Sequence, residues 1–281
     1  MNQQYIVVGD PIAHSLSPQI HQLFAQQTGI DLEYSKHRVS EDEFTSFMAQ
    51  FWATGGVGAN VTVPLKGLAY SHADQLDQAA IRARAVNTLA RRADGVWGYN
   101  TDGLGLCTDL SRRHQVPLQG ARVLLLGAGG AARGVLQPLL DAGCAQIVIA
   151  NRTATRAEAL AAEFESQLIT GSGYPELADL AEPPDVIINA TSLALTSAAE
   201  PVVPLAQGWI EGRVCYDMSY GDKALFCRWA SQHGARQSID GLGMLVEQAA
   251  AAFVIWHNVA PQTQPVLDFL YQQLAAGKAD P

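Results

Sequence analysis

The sequence predicts an α/β protein carried on two sheets, and three features lead to that expectation. Short stretches at 5–8, 33–38 and 57–63 read as strands and are separated by helical stretches at 17–28 and 41–54, an alternation that implies a largely parallel sheet. The pattern then breaks at 86–92 and 96–100, which flank the turn Ala93-Asp94-Gly95 and read as a β-hairpin. From about Gly120 the strand and helix alternation restarts, with strands at 123–126, 146–150, 185–188 and 213–216.

At 281 residues the chain is long enough for two domains of about 100 to 150 residues each. Hydrophobic residues make up 48% and charged residues 16%, the latter below the roughly 25% of an average domain, as suits buried parallel strands covered by helices. After Gly241-Leu242-Gly243 the pattern is helical, with 244–256 apolar around most of its circumference and 264–274 amphipathic. Periodicity alone leaves open which domain these last helices cover.

Composition also excludes partners. A formal net charge of −9 without a basic run argues against nucleic acid or an anionic membrane surface. The longest apolar run, 249–256, is far short of the ~20 residues that cross a bilayer, and the chain opens Met1-Asn2-Gln3-Gln4 and enters a strand at once, with no basic region or cleavable apolar segment to mark export. Cys107, Cys144, Cys215 and Cys227 are scattered and read as core residues of a reducing cytoplasm. The seven histidines show no metal-ligand spacing and no G-x-S-x-G elbow occurs, so no metal site and no serine acyl transfer is expected.

The strand at 123–126 runs into Gly127-Ala128-Gly129-Gly130-Ala131 and then a helix. Such a turn delivers a dinucleotide pyrophosphate to exposed backbone N–H groups, although a bare glycine match is weak evidence. The flanking elements strengthen it. The next strand ends in Asn151-Arg152-Thr153-Ala154-Thr155-Arg156, where such domains read the adenosine ribose. A carboxylate there would accept from a free 2′-hydroxyl, whereas guanidinium groups clamp a 2′-phosphate. There is no acid and there are two arginines, so the expected cofactor is NADP(H), with Arg152 over the phosphate and Arg156 in the first helical turn. The alternative, a solvated helix start, ignores the glycine turn upstream.

Four further segments could carry chemistry. Ser15 and Ser17 precede a helix, where a hydroxyl pair suits a carboxylate, and Ser17 before Pro18 also reads as an ordinary N-cap. Asn60-Val61-Thr62-Val63-Pro64-Leu65-Lys66 reads as a strand end with alternating polar residues followed by a lysine, which taken alone is a common surface residue. Ala85-Val86-Asn87-Thr88 and Asn100-Thr101-Asp102-Gly103 complete the set, each an ordinary turn composition by itself.

Taken with Asn189-Ala190-Thr191-Ser192, Tyr216-Asp217-Met218-Ser219-Tyr220 and Asp240-Gly241-Leu242-Gly243-Met244, these segments occur in the order of one family, and the chain resembles shikimate dehydrogenase over nearly its whole length. The resemblance implies an N-terminal three-layer α/β substrate domain, 1–103, with a mainly parallel mixed sheet, completed by C-terminal helices at about 238–281. It implies a Rossmann-type NADP-binding domain at 104–237 and a cleft between the two. It further implies reversible reduction of 3-dehydroshikimate to shikimate by a monomer or homodimer. Carried onto this chain, Ser15, Ser17 and Tyr220 would hold the substrate carboxylate. Thr62, Asn87, Asp102 and Gln248 would bind ring hydroxyls, Lys66 and Asp102 would form the catalytic pair, and Met218 and Gly241 would line the nicotinamide side. Chemically, hydride delivery to a ketone builds charge on oxygen that a nearby ammonium stabilises and protonates. Two departures stand out: Leu193-Ala194 where the family usually has glycine, and a stretch from Gly221 to Phe226 without the usual Thr-Pro. A broader quinate/shikimate enzyme and a non-catalytic ligand sensor are the competing readings.

Overall fold

The computed structural model describes residues 3–180, 182–191, 205 and 207–276. Ser192, Leu193, Ala194, Pro201 and Pro204, like Met1 and Asn2, lie outside them. The chain divides into two compact units: Met1–Gly105 together with Leu245–Pro281, and Leu106–Met244.

The first unit begins with β1 (Gln3–Gly9), α1 (Ser17–Thr28), β2 (Leu32–Arg38), α2 (Phe44–Ala53) and β3 (Gly56–Val61). It continues with α3 (Lys66–His72), β4 (Gln75–Leu76), α4 (Gln78–Ala83), β5 (Thr88–Arg92) and β6 (Gly95–Tyr99). The strands form one sheet in the order β2-β1-β3-β5-β6-β4. Pairing is parallel across β2, β1 and β3 and antiparallel through β5 and β6, whose hairpin turns at Gly95 with φ +123°. Ile6, Val8, Ala59, Val61 and Leu89 face Phe44, Met48 and Phe51 of α2 and Leu65 and Ala69 at α3. On the other face Tyr5 meets Trp256 at 4.8 Å and Phe24 meets Phe253 at 5.7 Å, which closes a three-layer sandwich.

Two local readings change. The strand expected to reach residue 63 ends at Val61: the Thr62 N–H makes the last bond to β1, at the Val8 carbonyl at 2.9 Å, and the chain then turns, Leu65 N–H returning to the Thr62 carbonyl at 2.9 Å. Lys66 therefore opens a helix instead of following a strand. Ser17 is not an N-cap: the helix starts at Ser17 itself, Leu16 stands in the cap position, and no side chain caps the N-terminus.

The second unit carries α5 (Asp102–Thr108) across its border, followed by β7 (Arg122–Leu126), α6 (Gly130–Asp141), β8 (Gln146–Asn151), α7 (Ala154–Ala162) and β9 (Ile169–Gly173). It then runs through β10 (Val186–Asn189), β11 (Val214–Asp217), α8 (Leu225–Gln232) and β12 (Gln237–Asp240). All neighbours pair in parallel in the order β12-β11-β10-β7-β8-β9, so the strand order reverses between β7 and β10. That is the switch point of a Rossmann-type sheet, where a ligand crevice opens beyond the strand ends. Along β7, Val123 and Leu125 pack into one layer while Leu124 and Leu126 pack into the other, so both faces of the sheet are buried.

The tail forms α9 (Leu242–His257) and α10 (Thr263–Ala276). From Leu245 onward it belongs to the first unit, where Trp256 Nε1 donates to the Leu89 carbonyl at 3.0 Å. Residues 238–240, expected among the C-terminal helices, instead form the edge of the second sheet in β12. Among the described residues no helix is long and apolar enough to cross a membrane, and no group of three or more metal-ligating side chains occurs.

Candidate active site

In the first unit, Lys66 opens α3 and Asp102 opens α5. A helix N-terminus favours the carboxylate and disfavours the ammonium, so Lys66 needs an anion beside it. It has one: Lys66 Nζ donates to Asp102 Oδ2 at 2.5 Å, with the side chains 27% and 13% exposed. The second oxygen of Asp102 accepts from Asn87 Nδ2 at 2.8 Å, and the Asp102 N–H is held by Asn100 Oδ1 at 3.1 Å. Asn87 Nδ2 also reaches Thr101 Oγ1 at 2.9 Å and Gln248 Oε1 at 3.3 Å, while Asn87 Oδ1 accepts the Thr101 N–H at 3.0 Å. Gln248 comes from α9, so the C-terminal helix completes a cluster begun by residues far upstream. Such a cluster can hold polyhydroxylated substrate groups beside a proton donor of fixed position.

Ser15 and Ser17 are also together. Ser15 Oγ donates to Ser17 Oγ at 3.2 Å and accepts the Ser17 N–H at 3.3 Å. Thr62 lies in the turn after β3, its methyl beside Gly9, where an added Cβ would approach it to 2.4 Å. Sequence reasoning missed a set of bonds that leads to Asn87. Tyr34 hydroxyl donates to Asn60 Oδ1 at 2.7 Å, and Asn60 Nδ2 donates to the Asn87 carbonyl at 3.2 Å and to Thr88 Oγ1 at 3.1 Å. Asn60 and Thr88 stood inside quoted segments as buried polar residues on a strand, the available signal; Tyr34 looked like any strand aromatic.

In the second unit the glycine turn meets the geometry a pyrophosphate needs. Gly127 has φ +106°, the left-handed conformation that favours glycine, and its N–H binds the Ala150 carbonyl at 2.7 Å. A Cβ on Gly127 would come within 3.0 Å of Thr191, whereas one on Gly129 or Gly130 would meet no atom within 4 Å. The start of α6 thus faces open space through bare backbone, with Ala131 exposed beside it and Ala128 half-buried. Donors of this kind suit a phosphate.

At the end of β8, Asn151 Nδ2 donates to the Thr153 carbonyl at 3.0 Å, shaping the turn into α7, which begins at Ala154 with Thr155 exposed on it. Arg152 and Arg156 are exposed, and among the described residues neither forms an ion pair with a carboxylate. Two unpaired guanidiniums beside a nucleotide turn fit the 2′-phosphate of NADP(H).

The buried carboxylate of Asp217 organises the far end of this unit. It accepts from Asn189 Nδ2 and the Ser219 N–H, both at 3.1 Å, and from the Phe226 N–H at 3.0 Å at the start of α8. Burial raises its pKa above the ordinary carboxylate value, and these donors work against that rise. Asp240 accepts the Gly221 N–H at 3.4 Å and the Leu242 N–H at 3.2 Å. Met218, Tyr220 and Gly241 lie on the loops so fixed, Gly241 so close to Met218 that a Cβ would stand 2.4 Å from the Met218 carbonyl oxygen. Gly221 to Phe226, lacking Thr-Pro, forms a short turn at Gly221–Lys223 followed by α8.

Comparison with known proteins agrees with this geometry. Residues 7–89 match the model for the shikimate dehydrogenase substrate binding domain, 109–204 that for shikimate / quinate 5-dehydrogenase, and 241–268 that for the shikimate 5'-dehydrogenase C-terminal domain. The chain is 47% identical to the shikimate dehydrogenase (NADP(+)) of Alkalilimnicola ehrlichii, over 95% of this chain and 98% of that relative. Among solved structures it is similar to an Ael1 enzyme from Pseudomonas putida, with TM-score 0.88, 42% identity and coverage of 96% of this chain and 98% of the other. It is also similar to the shikimate 5-dehydrogenase of Thermus thermophilus solved with NADP(H) and shikimate, with TM-score 0.81, 30% identity and coverage of 95% and 97%. With three family models and a near full-length relative in agreement, this chain belongs to the shikimate dehydrogenase family.

Proposed function

We propose that this protein is an NADP-dependent shikimate dehydrogenase that reversibly reduces 3-dehydroshikimate to shikimate, a step toward chorismate and the aromatic amino acids. The observation that carries the reading is the 2.5 Å pair of Lys66 and Asp102, held by Asn87 and flanked by Gln248 in a family whose members act on this substrate. NADPH, when bound, supplies the hydride. Its pyrophosphate would lie on the backbone at Gly127, Ala128, Gly129, Gly130 and Ala131. Its 2′-phosphate would lie among Asn151, Arg152, Thr153, Ala154, Thr155 and Arg156. Met218 and Gly241 would line its nicotinamide end.

This chain's residues do the rest. Lys66 Nζ stabilises the negative charge that grows on the carbonyl oxygen and delivers a proton to that oxygen; in the reverse direction it receives one. Asp102, oriented by Asn87, keeps the ammonium in place and accepts from a neighbouring ring hydroxyl. Ser15 and Ser17 hold the substrate carboxylate, and Thr62, Asn87 and Gln248 hold hydroxyls. The net charge of −9 makes this local capture of an anion necessary.

The test is the loss of NADPH absorbance on adding 3-dehydroshikimate. Turnover supports the reading; binding of both compounds without oxidation of NADPH assigns the chain to ligand sensing. Rates with shikimate and quinate, each with NADP+ and NAD+, separate the narrow enzyme from a quinate/shikimate enzyme. The two arginines favour NADP+. We further propose action in the cytoplasm, as a monomer or homodimer. The four cysteines are free thiols, which fits a reducing compartment.

A further inference from the structure

Asp102 stands at the first residue of α5, where backbone N–H groups without helical partners attract a carboxylate. Both of its oxygens are nevertheless engaged elsewhere, one by Lys66 at 2.5 Å and the other by Asn87 at 2.8 Å. A competing donor close at hand is the N–H of Asp102 itself, and that group is taken: it donates to Asn100 Oδ1 at 3.1 Å. The other end of the same side chain is also bonded, Asn100 Nδ2 donating to the Ala85 carbonyl at 2.9 Å. A carbonyl only accepts, so the amide of Asn100 has one orientation and its oxygen faces Asp102. Asn100 is 6% exposed, and Ala85 lies two residues before Asn87, so this buried side chain clips the start of α5 to the segment that carries Asn87. Two further bonds join these segments, from the Asn87 N–H to the Tyr99 carbonyl and from the Thr101 N–H to Asn87 Oδ1, both at 3.0 Å; neither reaches Asp102.

We infer that Asn100 is a positioning residue for the Lys66 and Asp102 pair: it holds the Asp102 N–H, which would otherwise draw the carboxylate away from Lys66, and through Ala85 it sets the backbone of Asp102 at the spacing from Asn87 that the second carboxylate oxygen needs. The choice of side chain follows from the two bonds together. A turn in which a side-chain oxygen accepts the N–H two residues on is made by aspartate as well as by asparagine. Donation to the Ala85 carbonyl requires the amide. Without Asn100, the Asp102 N–H loses its acceptor, and the acceptor nearest along the chain is the carboxylate of the same residue, since a short acidic side chain readily turns onto its own or neighbouring backbone. The pair would then part for lack of a bond that touches neither of its charged groups. The inference rests on the functional reading above, since it requires Asp102 to act on the substrate together with Lys66.

The test is Asn100→Ala, made in the wild-type chain and again in Asp102→Ala, a cycle that isolates what one residue does through the other. In the wild-type chain kcat for shikimate oxidation is expected to fall about tenfold, the scale of one hydrogen bond lost beside a charged group, with the KM for NADP+ within about twofold. In Asp102→Ala, assayed with concentrated enzyme, the same substitution is expected to change kcat by less than about twofold, because no carboxylate remains to be held. A merely structural role lowers kcat by the same factor in both backgrounds; that result, or an unchanged kcat in the wild-type chain, overturns the inference. If Asn100→Ala does not fold, Asn100→Ser, which keeps an oxygen for the Asp102 N–H but is too short to reach Ala85, goes through the same cycle. A loss confined to the background that retains Asp102 supports the inference, and equal losses or none overturn it. Wild-type protein that fails to oxidise shikimate overturns the functional reading, and this inference with it.

Discussion

Lys66 and Asp102 lie 36 positions apart along the chain and bond at 2.5 Å, each at the first residue of its helix. In the proposed mechanism, removing the ammonium removes an interaction made mainly as charge develops on the substrate oxygen. Lys66→Ala is therefore expected to lower kcat by about 10² to 10⁴ with a modest change in KM, measured by steady-state oxidation of shikimate. A near-normal kcat removes Lys66 from the mechanism. On the cofactor side, Arg152 is exposed without an acidic partner, so Arg152→Asp places a carboxylate where a 2′-phosphate would sit. Binding of NADPH should weaken far more than that of NADH, read from fluorescence titrations of each; equal losses count against the 2′-phosphate assignment.

At the level of elements, the second unit depends on tight approaches between loops and helix starts. Gly243, in the first turn of α9, faces the buried carboxylate of Asp109, which accepts the Tyr216 hydroxyl at 2.7 Å and Arg113 Nε at 3.1 Å. A Cβ at position 243 would stand 1.9 Å from Asp109 Oδ1. With both carboxylate oxygens engaged, the acid has little freedom to retreat. Gly243→Ala is expected to cost about 1 to 3 kcal/mol of stability, seen as a lower urea midpoint. A midpoint equal to wild type would mean that α9 shifts to accommodate the methyl.

At the level of the molecule, the aromatic layer under the first sheet sets a pH limit. His21 is buried against Phe24, Tyr34, Phe253 and Trp256, and desolvation, with a smaller contribution from His257, lowers its pKa to about 3, its ring nitrogens finding no hydrogen-bond partner among the described residues. The folded state therefore holds His21 neutral, and the unfolded chain binds a proton below its ordinary value of 6.5. The sign follows: this contribution is complete above about pH 6.5 and is lost as pH falls toward about 3, at up to about 1.4 kcal/mol per pH unit. Urea unfolding between pH 7 and 4.5 should show that slope, reduced in His21→Phe. A slope unchanged by the substitution would assign the acid sensitivity to other groups.

Much of this protein was legible locally because local physics governs it. Alternating apolar runs mark strands buried on one or both faces, glycine marks the turn after β7, and paired arginines after β8 mark an anion site, all within a few residues of chain. Strands whose apolar signal is thin were not legible: β9 has Ile169 as its only large apolar residue, and β12 has Ile239. Nor was the start of α3, since where the ladder of β3 stops depends on β1, whose Val8 makes its last bond to Thr62 from 54 residues away. The sequence by itself determined the α/β class, the nucleotide turn and the residue types of the candidate site. Tertiary structure alone decided that residues 238–240 form an edge strand of the second sheet, that Trp256 of α9 meets Tyr5 on the first sheet, and that Tyr34 and Asn60 are bonded to one another and to Asn87. Hydrogen-bond partners far apart in sequence are chosen by packing, which no local periodicity encodes.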